Sequence, residues 1–243
     1  MAQQAKNETP AQCADCLVRN RAICHVLDAG ALARFAASGR RRHVAAGETV
    51  QWQGDDDGVC ATLTSGALKL SLVTETGEER VVGTAYPPDF IGSPFAGAAS
   101  MEVTALIDSE LCVFSRAAFS ESLDRNRALE QELLRRTMAE LERSRLDDSR
   151  LASLGAGPRV AALLADFSKR TPAGCDAGDP DAGWLRLPLS RGEIAALLDL
   201  RIETVSRELG ALERAGVVQR RGRRDVRILD MAALTAAAVP QAA

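Results

Sequence analysis

No stretch of this 243-residue chain stays apolar over the roughly 18 residues that a bilayer span requires, so no membrane helix is expected. The opening residues, Met1 to Pro10, are polar and lack the apolar middle of a secretory signal. They predict a short disordered lead-in and a cytoplasmic protein. Net positive charge is also missing: 30 Lys+Arg against 33 Asp+Glu leave −3, which argues against a general polyanion glue. Histidine is nearly absent, with only His25 and His43. No Ser/His/Asp set, P-loop or His-rich metal site occurs, so no enzyme is expected. No internal repeat is found either.

What is present is an ordinary globular composition, 46% hydrophobic and 26% charged, long enough for two domains. The charge is unevenly placed. Trp184 to Leu229 holds ten Arg against six Asp plus Glu, so this piece carries +4 and the remainder −7. A basic C-terminal piece on an acidic body fits a local DNA contact. From His43 to Phe114, short strands alternate with turn signals such as Gln53-Gly54-Asp55, Glu75-Thr76-Gly77 and Pro87-Pro88-Asp89. Ala67 to Val73 alternates, with Leu68, Leu70 and Leu72 on one face. Regularly spaced strands predict a small β-roll or barrel. A short helix is expected before it, Ala29 to Ala37. From Arg116 to about Ser153, Gly and Pro vanish and Leu, Glu and Arg dominate, which predicts one long helix. Gly155-Ala156-Gly157-Pro158 breaks it, a helix follows over Arg159 to Lys169, and Thr171 to Gly183 reads as a loop.

On the long helix, Gln131, Leu134, Met138, Leu141, Arg145 and Asp148 recur at alternating steps, the seam of a coiled coil. Its first half is apolar and its second half charged. In a parallel pair Asp148 would lie near its twin, and like carboxylates repel, so the seam reads as a marginal homodimer contact. Leu129 and Leu133 are the residues that would pack the helix on its own roll.

Ser190-Arg191-Gly192-Glu193 is a capping box opening a helix through Leu198. Asp199-Leu200-Arg201 makes a turn, and a second helix runs from Ile202 to about Ala215 with Val205, Leu209 and Leu212 inward. This is the helix-turn-helix pattern. Glu203, Ser206 and Arg207 share the outer face near the N-terminal end, which enters the major groove of double-stranded DNA. Arg suits guanine O6/N7, Glu accepts from cytosine N4, and Ser serves either. A Glu203–Arg207 ion pair is the plainer use of the same spacing. Val217 to Arg224 reads as a two-stranded wing whose Arg221 and Arg223 would hold phosphates.

Six cysteines in a cytosolic chain are not expected to be disulfides. Cys13, Cys16 and Cys24 fall within twelve residues, and three thiolates need a fourth ligand for a zinc ion or a cubane cluster. Cys60, Cys112, Cys175 and His25 are the candidates, and spacing does not choose among them. A zinc knot, a thiol-based sensor and a Cys-x-x-Cys redox enzyme are the alternatives. The last lacks a βαβ setting.

Glu193-Ile194 through Arg207, with Glu203-Thr204-Val205-Ser206-Arg207, resembles the signature of the CRP/FNR family of bacterial regulators. Glu-x-x-Ser-Arg is similar to its FNR branch; the cyclic-AMP branch usually has Gly where Ser206 stands. The resemblance covers nearly the whole chain and implies an α+β fold: a cysteine-rich segment (1–28), a cyclic-nucleotide-binding-like β-roll (29–115), a dimerisation helix (116–154) and a winged helix-turn-helix (155–243). It implies an oxygen-sensing [4Fe–4S] cluster on Cys13, Cys16, Cys24 and Cys112, since FNR-like proteins take the fourth cysteine from the strand before the dimer helix. The Cys16–Cys24 gap resembles that of some FNR-like regulators. A two-fold TTGAT-N4-ATCAA-like operator and RNA polymerase as a partner are also implied. Two positions depart from the pattern. Asp199 replaces the usual turn Gly, though Asp tolerates the left-handed conformation better than most, and Arg201 replaces the usual Ser or Thr cap. No Arg lies between Asp89 and Glu110 to meet a cyclic phosphate, so no cyclic nucleotide is expected to bind.

Overall fold

The computed structural model describes residues 10–56, 58–95, 97–170 and 183–239, without the side chains of 150–152. The predicted lead-in before Pro10, the predicted loop up to Gly183 and Cys175 lie outside them. The chain divides into two units, Met1–Leu141 and Glu142–Ala243.

The N-terminal unit opens with α1 (Ala11–Ala14), a single turn that buries none of its residues, and a 3-10 turn at Ile23–Val26. Helix α2 (Ala29–Ala37) follows as predicted. Asp28 caps it, its carboxylate accepting from the Ala31 amide at 2.7 Å. Then come β1 (Gly39–Val44), β2 (Thr49–Gln51), β3 (Cys60–Ser65), β4 (Leu68–Val73), β5 (Glu79–Ala85), β6 (Phe90–Ile91), β7 (Glu102–Ala105) and β8 (Ser109–Phe114). They pair antiparallel in two four-stranded sheets, ordered β1-β8-β3-β6 and β2-β7-β4-β5.

Alternation along β8 serves two cores at once. Leu111 and Val113 enter the core between the sheets with Val44, Leu63, Leu68 and Val103. Cys112 and Phe114 belong to a second cluster with Ile23, Leu27, Leu32, Phe35, Phe119 and Leu129. Phe35 stacks on Phe114 with centroids 4.1 Å apart, and Phe119 meets both rings edge-on. On β4 the simple alternation fails. Lys69 and Ser71 are buried along with Leu68, while Leu70 and Leu72 are half-buried. A register shift between Leu70 and Ser71 interrupts the pleat, and Glu79 neutralises Lys69 at 2.6 Å.

The predicted single long helix is in fact two, α3 (Arg116–Arg125) and α4 (Arg127–Ser153). Asn126 makes the break by offering the backbone other partners. Its side-chain amide donates to the Ser122 carbonyl at 2.8 Å, and its own carbonyl accepts from the Leu129 amide at 2.9 Å.

The C-terminal unit contains the end of α4 and then α5 (Ala156–Arg170), which starts earlier than predicted. Pro158 sits in its first turn, where the missing N–H has no role. After β9 (Trp184–Arg186) come α6 (Arg191–Leu198), α7 (Ile202–Arg214), β10 (Val218–Arg221), β11 (Asp225–Ile228) and α8 (Met231–Ala237). The predicted two-stranded wing gains β9 as a third strand, in the order β10-β11-β9. Helix α5 packs on α7 and α8, burying Leu164, Phe167, Val205, Leu209 and Leu234. Among the described residues no helix is long and apolar enough to cross a membrane.

Candidate functional site

Cys13 lies in α1, Cys16 just beyond it, and Cys24 in the 3-10 turn, while Cys112 is on β8. Cys13, Cys24 and Cys112 all pack against the aromatic cluster. Burial, reinforced by Cys24, Cys13 and Cys16, pushes the Cys112 thiol up to about 12. Burial, with Cys13 and Cys16, pushes Cys24 up to about 11, and burial together with Cys16 raises Cys13. Each of the four therefore stands within electrostatic reach of the others. Cys60 also rises to about 11, but through burial, opposed by Arg116, with none of the four acting on it. His25 turns its Nδ1 to the Ala22 carbonyl at 3.0 Å and to Glu132 at 3.8 Å. Of the described candidates for a fourth ligand, Cys112 is the one on which the other three thiols act.

Two cations attend these thiols. Arg19 acts on Cys13 and Cys24, and Arg41 on Cys13 and Cys112, each favouring the thiolate. Arg41 stands opposite Cys112 in the β1–β8 register and donates to the Gln12 carbonyl at 2.6 Å. Gln12 in turn donates to the Ala36 carbonyl at 2.6 Å, so the cysteine loop is tied to both β1 and α2. Among the described residues, no three His, Cys, Asp or Glu side chains are placed to hold a single metal ion. A cubane asks for a wider arrangement, because each of its four thiolates binds a different iron.

On α4, Leu129 is fully buried and Leu133 packs against the aromatic cluster, as anticipated. The seam residues Leu134, Met138 and Leu141 are 62%, 58% and 43% exposed, and Gln131, Arg145 and Asp148 are exposed too.

In the C-terminal unit the capping box is complete. Ser190 Oγ accepts from the Glu193 amide at 3.2 Å, and the Glu193 carboxylate accepts from the Ser190 amide at 2.8 Å. Asp199 takes the left-handed conformation, φ 53° and ψ 51°, that the turn requires. Arg201 precedes α7 without a side-chain cap, as its identity suggested. Glu203 and Arg207 are exposed and Ser206 half-buried on the outer face of α7. Arg207 pairs with Glu208 at 3.1 Å rather than with Glu203. Leu212 is only half-buried. The wing is pinned to α7 by Arg220, whose amide and guanidinium both donate to Glu213, at 3.1 and 2.8 Å. Arg221 lies over the Trp184 ring at 4.7 Å and faces Asp225 at 3.5 Å, whereas Arg223 is exposed.

Sequence reasoning missed Arg191, which joins Arg224 of the predicted wing. With Ser190, Ile202, Ser206 and Arg223 they line a cleft of about 470 Å³ beside the start of α7. Arg191 Nε is buried with no acceptor among the described residues. The signal was a basic residue at the first position of α6. A second correction concerns 92–101, where no cation was expected. Arg116 reaches in from α3 and donates to the Gly97 carbonyl at 3.0 Å.

The sequence is 35% identical to the transcriptional activator protein FnrL of Cereibacter sphaeroides, across 92% of this chain and 90% of that protein. The chain belongs to the CRP/FNR family of transcription regulators. The nitrogen fixation regulation protein FixK of Bradyrhizobium diazoefficiens is 33% identical over 85% of each chain. Residues 41–126 match the cyclic nucleotide-binding domain profile and 158–237 the Crp-like helix-turn-helix domain. The solved structure of FixK2 from Bradyrhizobium japonicum shares the fold, with a TM-score of 0.73 at 21% identity over 84% of this chain and 99% of that one. This CRP/FNR-family chain is thus a DNA-binding regulator and not an enzyme.

Proposed function

We propose that this regulator is a cytoplasmic oxygen sensor in which Cys13, Cys16, Cys24 and Cys112 hold a [4Fe–4S] cluster. The observation that carries this reading is that Cys13, Cys24 and Cys112 pack against one aromatic cluster, with Cys16 held next to Cys13 by its amide hydrogen bond to the Cys13 carbonyl, and that these thiols act on one another whereas none of them acts on Cys60. The donor set fits the group: four sulfurs, two attendant guanidinium groups and an aromatic floor that limits water. When bound, the cluster supplies iron–thiolate bonds that oxygen degrades. Cys112 anchors from the roll, and the other three cysteines hold the loop against it.

The exposed apolar residues Leu134, Met138 and Leu141 meet a second copy of the chain, while Arg145 and Asp148 keep that contact marginal. A marginal dimer responds to a few kcal/mol from elsewhere. Glu203, Ser206 and Arg207 read bases in each half of a TTGAT-N4-ATCAA-like operator, and Arg221, Arg223, Arg191 and Arg224 hold phosphates. FnrL's name as an activator supports RNA polymerase as a partner. On this reading the signal is oxygen rather than a cyclic nucleotide.

Purification under nitrogen tests the reading. The expected protein is brown, carries about four iron and four sulfide per chain, and loses colour, dimer and operator affinity in air. A colourless or zinc-loaded protein that binds the operator equally well in air overturns it.

A further inference from the structure

The loop between Cys16 and Cys24 touches α4 at one charged junction. Glu132 is a carboxylate with only 6% of its side chain exposed, three residues on from the fully buried Leu129. Arg136 satisfies it, donating Nε to Oε1 at 2.7 Å, and Arg135 donates to both oxygens at 2.7 and 2.8 Å. The Arg136 guanidinium also donates to the Arg21 carbonyl, 115 residues earlier in the cysteine loop, and Nη1 reaches the Pro88 carbonyl at 3.4 Å. His25, the neighbour of Cys24, faces the same carboxylate at 3.8 Å.

Resting on the cluster reading above, the geometry points to Glu132 and Arg136 as the latch that reports the state of the cysteine loop to the dimer seam. A guanidinium is a rigid planar fork, so its acceptors must hold fixed directions together. If the loop carrying Arg21 moves, Arg136 loses an acceptor and the buried Glu132 loses the partner geometry that compensates its burial. The turn of α4 bearing them must then readjust. Leu134 and Met138 stand two residues on either side of Arg136, so that readjustment reaches the seam directly. Both residues are positioning groups: neither supplies a sulfur to the cluster.

The test uses full-length protein made under nitrogen, wild type and Glu132→Gln, measured before and after air exposure. The readouts are iron and sulfide content and affinity for a TTGAT-N4-ATCAA duplex. Wild type is expected to show an anaerobic-to-aerobic affinity ratio of roughly 5- to 150-fold, the usual range of such couplings. Glu132→Gln is expected to keep its iron and sulfide while that ratio collapses to within about twofold of unity. An unchanged ratio in an iron-replete variant overturns the latch and leaves the cluster reading intact. Loss of iron from the variant also overturns it, since the residue would then be holding the site itself. Absence of iron from wild type overturns the cluster reading and the latch with it. Should Glu132→Gln fail to fold by circular dichroism, Arg136→Lys decides. It keeps the charge but not the fork, and a wild-type ratio in that variant overturns the latch.

Discussion

The DNA-reading head and the thiol surface are put together in opposite ways. The turn and wing that shape the head's reading surface are set by near neighbours: Ser190 with Glu193, Asp199 closing α6, Glu213 with Arg220, β10 with β11. The thiol surface depends on partners far apart in the chain, with Arg41 bonded to the carbonyl of Gln12 and Arg136 to that of Arg21. Neighbour contacts cost little chain entropy to close, and distant ones cost more. On the reading proposed above, the head is the fixed part and the N-terminal loop the part whose attachment changes. The proposed sensing role would use that asymmetry, a fixed reader and a labile grip.

The largest effect that would break the comparison is at the grip. Cys112→Ser is expected to abolish iron binding under nitrogen, while Cys60→Ser leaves iron content close to wild type, both measured by metal analysis. Equal loss in the two variants would mean that the outer sheet face as a whole, not four particular sulfurs, holds the metal. Next comes the reader. Arg207→Ala is expected to lower operator affinity by about 1–3 kcal/mol and relax preference at one base pair. Arg223→Ala should instead weaken all sequences alike and reduce the salt slope by about 1. Titrations against matched and mismatched duplexes at several salt concentrations separate the two. The smallest effect is in the scaffold of the reader: Ser190→Ala should cost about 1 kcal/mol of stability in denaturant unfolding, with the air response untouched. A changed air response would show that the head is not the fixed partner.

The same contrast explains what could be read from the sequence. The capping box, the left-handed Asp199, the bare cap at Arg201 and the Cys13-Cys16-Cys24 run each rest on a few adjacent residues, and all were legible. The break at Asn126 was not, because the surrounding composition is uniformly helical and only the side-chain bond to Ser122 diverts the backbone. β9 is three residues long and becomes a strand by pairing with β11. Choosing Cys112 over Cys60 needed a resemblance, since both sit in short apolar strands and face the same cluster. What separates them is strand register, with Cys112 opposite Arg41 and Cys60 opposite Phe114. Glu132 carried no mark in the sequence, because its partner outside α4, His25, lies more than a hundred residues away.

The bonds that moor the N-terminal loop end on peptide oxygens: those of Gln12 and Arg21 within it, and that of Ala36 for Gln12's own amide. A carbonyl is present whatever residue carries it. Position 21 can therefore drift, and neighbours such as Leu17, 87% exposed, can be swapped for bulkier or more polar types, without unseating the segment. Substitutions there would change access to the thiols while leaving untouched the bonds that hold the loop.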